Sequence, residues 1–445
     1  MNLFAIPAGT PFLPALAKGV ITMVGTEEAL ARATILLPTQ RAARALRGAF
    51  LDASGRPALV LPRMRALAGL STEDADELSL PALLDLPPAV AALRRQAVLA
   101  AMVERFPPRG GRPGSPAQAW QLAGELATLL DEIALESREE LPPSETALTE
   151  DVLTRLDALA PEELAQHWQI TTLFLRGIAR EWTLWLRENG LMDIGLRRVL
   201  ALRLQRRQWE EAPPADAVIA AGIGAGGTIP PAVALLRTVA TRLPRGAVVL
   251  PGEDSATAEV PAEILLDACT HPFGGQRRLL RDLGATPADL RVWPGSEGWE
   301  PAPRADLLGT ALLPHEAITP WLRRDPARWR PALEGLSLLE AGDAHGEAAA
   351  IALEMRRALE TPGARVALVT PDRDLACRVA AELPRHGIVA DDSAGAPLSR
   401  TPAGSFLRLL AGAVAEEFAP VPLLALLKHP LCAGGRERGW WIAAA

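Results

Sequence analysis

The chain of 445 residues has no tyrosine, three cysteines and only two lysines, Lys18 and Lys428. The lysine shortage excludes the most chemistry. A phosphate-binding loop of the form GxxxxGK[ST] cradles phosphates with backbone amides and reaches between them with a lysine. Here the two lysines precede Gly19 and His429, so no such loop can be written. Nor does an apolar strand end in an acidic pair suited to magnesium, since VIAAG ends in glycine. ATP hydrolysis by this chain is not expected. A nuclease centre of the acidic-plus-lysine type is excluded too, because neither Glu-x-Lys nor Asp-x-Lys occurs. Cys269, Cys377 and Cys432 form no CxxC pair and read as incidental thiols of a reducing compartment. The six histidines make no HxxxH or HExxH spacing, so no metal site is expected, and no cofactor is assigned. No apolar run approaches the roughly 20 residues of a membrane helix. The opening MNLFAIPAGTPF lacks the basic and then continuously apolar build of a signal peptide. The expectation is a cytoplasmic protein with no membrane partner.

What is present is an alanine-rich chain, 49% hydrophobic and 22% charged, with a net charge of −7. Those values suit a globular protein of two or three domains. The lack of Tyr and abundance of Ala accord with GC-rich coding. Nearly all 46 basic residues are arginine, so any contact with nucleic acid must come from local arginine clusters rather than net charge. Along the chain the patterning changes several times. Residues 1–87 read as strand, helix, strand (ATILLP), helix (RAARALRGAF) and strand (ALVLP). Residues 88–212 are almost purely helical in period, interrupted by a Pro/Gly-rich loop at 107–116. Strand–helix alternation returns over 213–283 with AVIAAG, PPAVALLRTVATRL and AVVLP, and 284–335, dotted with Pro and Trp, reads as a connector.

Residues 336–434 alternate again. Strands are expected at Leu336–Ala341, Arg365–Thr370 and GIVADD, with helices between them. Asp372 and Thr401 are placed to cap helices, and Pro402 falls at a first helical position. The alternation predicts an α/β unit on a parallel sheet.

The wording of this region, GDAHGEAAAIALEMRRALETPG, ALVTPDRDLACRVAAEL, GIVADDSAGAPLSRTPAGSFLRLL and PVPLLALLKHPL, resembles the AddB family in its alphaproteobacterial branch. The likeness extends back through AIPAGTPFLPALAKG, ILLPTQRAARALRGAFL, LAQHWQITTLFL, VIAAGIGAGGTIPPAVALL and HPFGGQRRLLRDLG, in the family's order. Members of that family are helicase/nuclease-like subunits acting in double-strand break repair by homologous recombination. The resemblance implies two RecA-like domains of the superfamily 1 helicase type. The first would be split across 1–87 and 213–283 by the helical insertion at 88–212, and the second, incomplete, would span 336–434. It implies a heterodimer with an AddA helicase–nuclease subunit and contact with single-stranded or broken-end DNA. It further implies that PAGTPFLPALAKG is a decayed phosphate loop, leaving a scaffold and DNA guide with no catalysis of its own. The likeness ends near Gly434. The divergent tail, 435–445, reads as an early stop, a frameshift or a split gene, with the family's nuclease part beyond it. On that reading 336–445 is the least stable region, exposing Leu423, Leu424, Leu426 and Leu427.

In helicase cores the loop after the second strand lies against single-stranded DNA. The resemblance places Thr39, Gln40, Arg41 and Arg44 there, followed by Arg47; hydroxyl and amide groups would bond phosphate and arginine would fork onto it. The other reading of the same residues is a helix start capped by Thr39. The alternative function is a nucleotide- or dinucleotide-binding enzyme using Gly222–Gly227, which fits GxGxxG after a strand. Pro230-Pro231 at the helix start and the distance to Glu253 and Asp254 argue against it. Arg197, Arg198, Arg203, Arg206 and Arg207 beside Trp209 fit either a nucleic-acid groove or a solvated face. Gln276-Arg277-Arg278 with Arg281 reads as a solvated helix face, and Trp182 with Trp185 as core.

Overall fold

The computed structural model describes residues 1–67, 86–105, 115–136, 154, 165–224, 229–268, 270–297, 303–323, 326–395 and 397–432. Most of the loop at 107–116, the tail at 435–445, Gly226, Gly227 and Cys269 lie outside the described residues. Two compact units divide the chain, Met1–Gly335 and Leu336–Ala445.

The first unit begins β1 (Leu3–Ile6), α1 (Phe12–Val24), α2 (Glu27–Arg32), β2 (Thr34–Leu37), α3 (Gln40–Ser54) and β3 (Arg63–Ala66). A helical block follows: α4 (Ala92–Arg105), α5 (Pro116–Leu135), α6 (Ala165–Glu188) and α7 (Ile194–Glu211). The chain then returns through β4 (Val218–Ala221), α8 (Pro230–Thr241), β5 (Gly246–Pro251), α9 (Ser255–Ala258), α10 (Ala262–Asp267), α11 (Gly274–Leu283) and β6 (Arg291–Val292). It closes with α12 (Pro303–Ala311), α13 (Thr319–Arg323) and α14 (Arg330–Leu333). The strands form one parallel sheet in the order β3-β2-β4-β5-β1-β6. The fold class is α/β.

Period 2 sorts the strand residues onto two covered faces. Ile35 and Leu37 join Ile6, Ile219, Ala221, Ala247 and Val249 in one core beneath α1 and α3. Leu36 joins Leu3, Val218, Ala220, Val248 and Leu250 in the other, beneath α7, α8 and α11. Burial on both faces is why ATILLP and AVVLP are continuous apolar runs. The third strand differs from expectation: it is Arg63–Ala66, not ALVLP just before it. As an edge strand it is selected by pairing with β2, Thr34 opposite Arg63 and Leu36 opposite Arg65, rather than by apolar content. Residues 284–335 are more than a connector. They supply β6 and the fully buried Trp293, whose ring meets Phe4 edge-on at 5.2 Å. Gly19 on α1 admits Trp293 and Pro294 where any side chain would collide.

The helical block is tied by a buried ion cluster. Arg95 Nε lies 2.9 Å from Asp193 Oδ2, and its Nη1 lies 3.0 Å from Asp131. Asp193 also accepts the Trp182 indole N–H at 3.0 Å and the Gly195 amide at 2.9 Å, which caps α7. Burial pushes the Asp193 carboxyl above the usual carboxylate range, with Arg95 opposing that shift. Trp182 stacks on Trp185 at 5.4 Å within this core.

The second unit contains α15 (Ala344–Ala358), α16 (Arg373–Glu382), α17 (Pro402–Ala415) and α18 (Pro420–Lys428). Asp372 and Thr401 cap α16 and α17, with Pro402 at the first helical position. The strands expected at Leu336–Ala341, Arg365–Thr370 and Gly387–Asp392 do not form; no β-ladder occurs among the described residues of this unit. Residues 364–370 still alternate, with Ala364, Val366, Leu368 and Thr370 half-buried and Arg365, Ala367 and Val369 exposed. Leu368 and Ile388 pack onto α15 and α16. Their opposite sides are bare, Val369 being 93% and Val389 96% exposed. Parallel ladders are stable when both faces are covered, and here one is open. Leu426 is buried and Leu423, Leu424 and Leu427 are half-buried, so the exposed apolar surface is not where the sequence placed it.

Candidate functional site

The chain leaves β1 toward β2 on one side, whereas it leaves β5 for β6 on the other side of β1. Connections diverging from adjacent strands open a crevice at their carboxyl ends, where open α/β sheets hold ligands. A cleft of about 360 Å³ lies there, lined by Ile6, Pro7, Thr10, Phe12, Asp254, His271 and Leu308 among others. Gly252 lets the two strand-end loops touch, since a Cβ at that position would lie 2.8 Å from the Ile6 carbonyl oxygen.

The wall contributed by β1 is the Pro7–Pro11 turn. Gly9 takes a left-handed φ of 82° there, and the Thr10 amide donates to the Pro7 carbonyl at 3.1 Å. Pro11 precedes α1 and Pro14 lies in its first turn, so two positions near this helix start carry no N–H. Lys18, one turn on, is exposed and is absent from the lining. No lysine or arginine lines the cleft among the described residues. It suits a compact, mainly apolar ligand better than a triphosphate.

The opposite wall is polar. Asp254 caps α9, accepting from the Thr257 amide at 2.9 Å and its hydroxyl at 2.8 Å. Gly309 of α12 leaves room for that carboxylate. Glu253 and Arg277 form a buried two-pronged pair at 2.6 and 2.7 Å, and Gln276 donates to the Pro251 carbonyl at 2.8 Å. Gln276-Arg277-Arg278 is therefore not a solvated face: Gln276 and Arg277 are buried, and Arg278 donates to the Leu266 carbonyl. His271 is 7% exposed, and its Nδ1 accepts the Phe273 amide at 3.2 Å. That bond assigns the ring proton to Nε2, a buried donor with no partner among the described residues. Burial lowers the His271 pKa, with Asp254 and Glu253 opposing, and so favours the neutral ring. The His271 Nε2–H is the cleft's unspent hydrogen bond. Composition and spacing gave no hint of this group; the Pro-Gly break ending AVVLP was the signal that a strand end lay nearby.

The sequence-predicted DNA residues sit at the same carboxyl edge, after β2. Thr39 caps α3 by accepting the Ala42 amide at 3.1 Å, and Gln40 is the first helical residue. Arg41, Arg44 and Arg47 form an exposed stripe opposite the buried Ala43, Leu46 and Phe50. Arg44 and Arg47 have no ion-pair partner among the described residues. The capped helix start and the exposed arginine stripe coexist. The loops after β1, β2 and β4 converge, because a Cβ on Gly222 would meet Phe12 Cε1 at 3.5 Å and Pro38 Cδ at 3.9 Å.

Gly222 and Gly224 have left-handed φ values of 68° and 124°, and a Cβ on Gly224 would lie 2.6 Å from Leu279. Backbone geometry and packing account for both glycines. Pro230 and Pro231 open α8 without amide donors, which is unfavourable for pyrophosphate. Of the arginine-rich helix, Arg197 and Arg203 are buried; Arg197 donates to the Pro87 carbonyl and Arg198 to that of Leu67. Those side chains brace the block rather than face a nucleic-acid groove.

No protein-family model matches the chain, and no curated protein matches it. Among the described residues no helix is long and apolar enough to cross a membrane.

Proposed function

We propose that this chain is the motor-like part of an AddB-type subunit, in which RecA-like domains guide single-stranded DNA beside an AddA helicase–nuclease. The chain itself does not hydrolyse ATP. One observation carries the reading: along a single sheet edge, a proline-bearing, cation-poor turn after β1 stands beside an exposed Arg41–Arg44–Arg47 stripe after β2. A motor would need the reverse emphasis, with cations at the first turn to hold phosphates. The doubly wound sheet, with its first strand in the interior, supports a first RecA-like domain. The helices α15 and α16 interleaved with extended segments support counting the second unit as another. DNA repair by recombination, the AddA partner and a cytoplasmic location follow from the family resemblance.

The test is direct. Single-stranded DNA should bind with little sequence preference and with affinity falling as salt rises, because arginine–phosphate contacts release counterions. Replacing Arg41 and Arg44 together by Ala should lower the salt slope by about two. Binding indistinguishable from the parent would reduce α3 to a capped, solvated helix. Titration with Mg-ATP should give no saturable heat; a saturable signal would overturn the guide-without-motor reading.

A further inference from the structure

The opposite edge of the sheet, at the amino ends of β2, β3 and β4, encloses a second cavity of about 500 Å³. Its walls include Arg32, Arg63, Arg65, Gln205, Trp209 and Asp216. Three arginines therefore share the walls with one aspartate, which Arg32 holds at 3.0 Å. The cavity arises from a change of composition along one sheet face. Leu36 and Val218 lie on the apolar face covered by α7, but the next strand outward places Arg65 beside Leu36 and Arg63 beside Thr34. On α7, Leu202, Gln205 and Trp209 follow at helical spacing, so an amide and an indole stand where leucines would complete a core.

Arginines on an edge strand commonly guard it against pairing with another chain. That role leaves Gln205 unexplained. Its side chain lines the cavity, the residue is only 5% exposed, and its amide, open to the cavity, has no hydrogen-bond partner among the described residues. Arg63 likewise has no ion-pair or hydrogen-bond partner among the described residues. A carboxamide open to the cavity, arginine side chains and a half-exposed indole are complementary to three parts of one ligand class. A carboxamide matches the donor–acceptor edge of a nucleobase. Guanidinium forks match a phosphate, and indole offers a stacking surface. The volume is that of a small-molecule site.

We propose that this cavity binds a nucleoside carrying a terminal phosphomonoester, with Arg63 and Arg65 on the phosphate, Gln205 on the base edge and Trp209 against the ring. It goes beyond the strand-guiding role and is independent of it, lying at the other end of the strands from Arg41 and Arg44.

The experiment is calorimetric titration of the full chain with deoxyadenosine 5′-monophosphate, deoxyadenosine and inorganic phosphate in turn. The monophosphate should saturate, and each half alone should bind at least about tenfold more weakly. Arg63→Gln should weaken the monophosphate about tenfold. Gln205→Leu should weaken it as much without lowering the thermal unfolding midpoint, which a misfolded variant could not do. Replacing Arg41 and Arg44 by Ala should leave it unchanged. A short oligonucleotide with and without a 5′-phosphate distinguishes the source: phosphate-dependent binding tighter than the free nucleotide assigns the site to a strand end, and weaker binding assigns it to free nucleotide. No saturation by millimolar monophosphate, or unaltered affinity in both cavity variants, would overturn the proposal.

Discussion

The two units handle extended backbone in opposite ways. In the first, β2, β4 and β5 carry apolar residues on both faces, helices cover both, and the ladder is complete. In the second, 364–370 has the same period-2 alternation, but α15 and α16 cover only one side and Val369 stands open. The contrast teaches that alternation specifies which way side chains point, while a sheet also needs neighbours to receive the backbone and cover for the second face. Conformational free energy should therefore be concentrated in the first unit.

Amide exchange tests the contrast most strongly. Protection in β4 and β5 should exceed that in 364–370 by a factor of about 10³ or more, reflecting global against local opening. Equal protection would mean that the second unit holds a cooperative sheet and that the contrast is false. Next in size is Asp193→Ala. It removes the partner of a buried Arg95, uncaps α7 and frees the Trp182 indole, so about 3–5 kcal/mol should be lost from the first unit's unfolding transition. The second unit's transition should stay in place in chemical denaturation; a joint shift would show that the units unfold as one.

A matched pair of cap deletions sharpens the comparison at smaller scale. Thr39→Ala and Asp372→Ala should each cost about 1 kcal/mol, the first in one transition and the second in the other. The smallest effect is in pH. His271 has its pKa lowered by burial, so between that value and the ordinary one near about 6.5 the unfolded chain binds more protons than the folded chain. The first unit's stability should hold above the ordinary value, fall as pH drops below it, and level off once folded His271 protonates. Melting of the parent and of His271→Gln across that range should show a shallower slope in the variant.

Legibility in the sequence followed burial. ATILLP, AVIAAG and AVVLP were readable as strands because double coverage makes them apolar throughout. β3 was misplaced by a few residues and β6 went unread, since an edge strand of RMRA and a two-residue strand carry little pattern. The Thr39 cap was visible in Pro-Thr-Gln, and the helical period of the block in its long amphipathic runs. The cleft was not visible. Thr10, Asp254, His271 and Leu308 meet only because β1 and β5 are neighbours, and nothing local in the chain announces that adjacency. Gln276-Arg277 misled for a related reason: charge suggests solvent, but a buried Glu253 supplied by another loop reverses the preference.

One helix joins the block to the sheet. Over its 18 residues, about 27 Å of rod, α7 begins at the Asp193 cluster, seats Leu196 against Ile133 of α5, and then lays Leu202 on the sheet before leading into β4. Such a rod acts as a beam fixed at both ends. Gln205 and Trp209, which line the arginine-bearing cavity, therefore sit on the same rod as the residues that cap and pack the block.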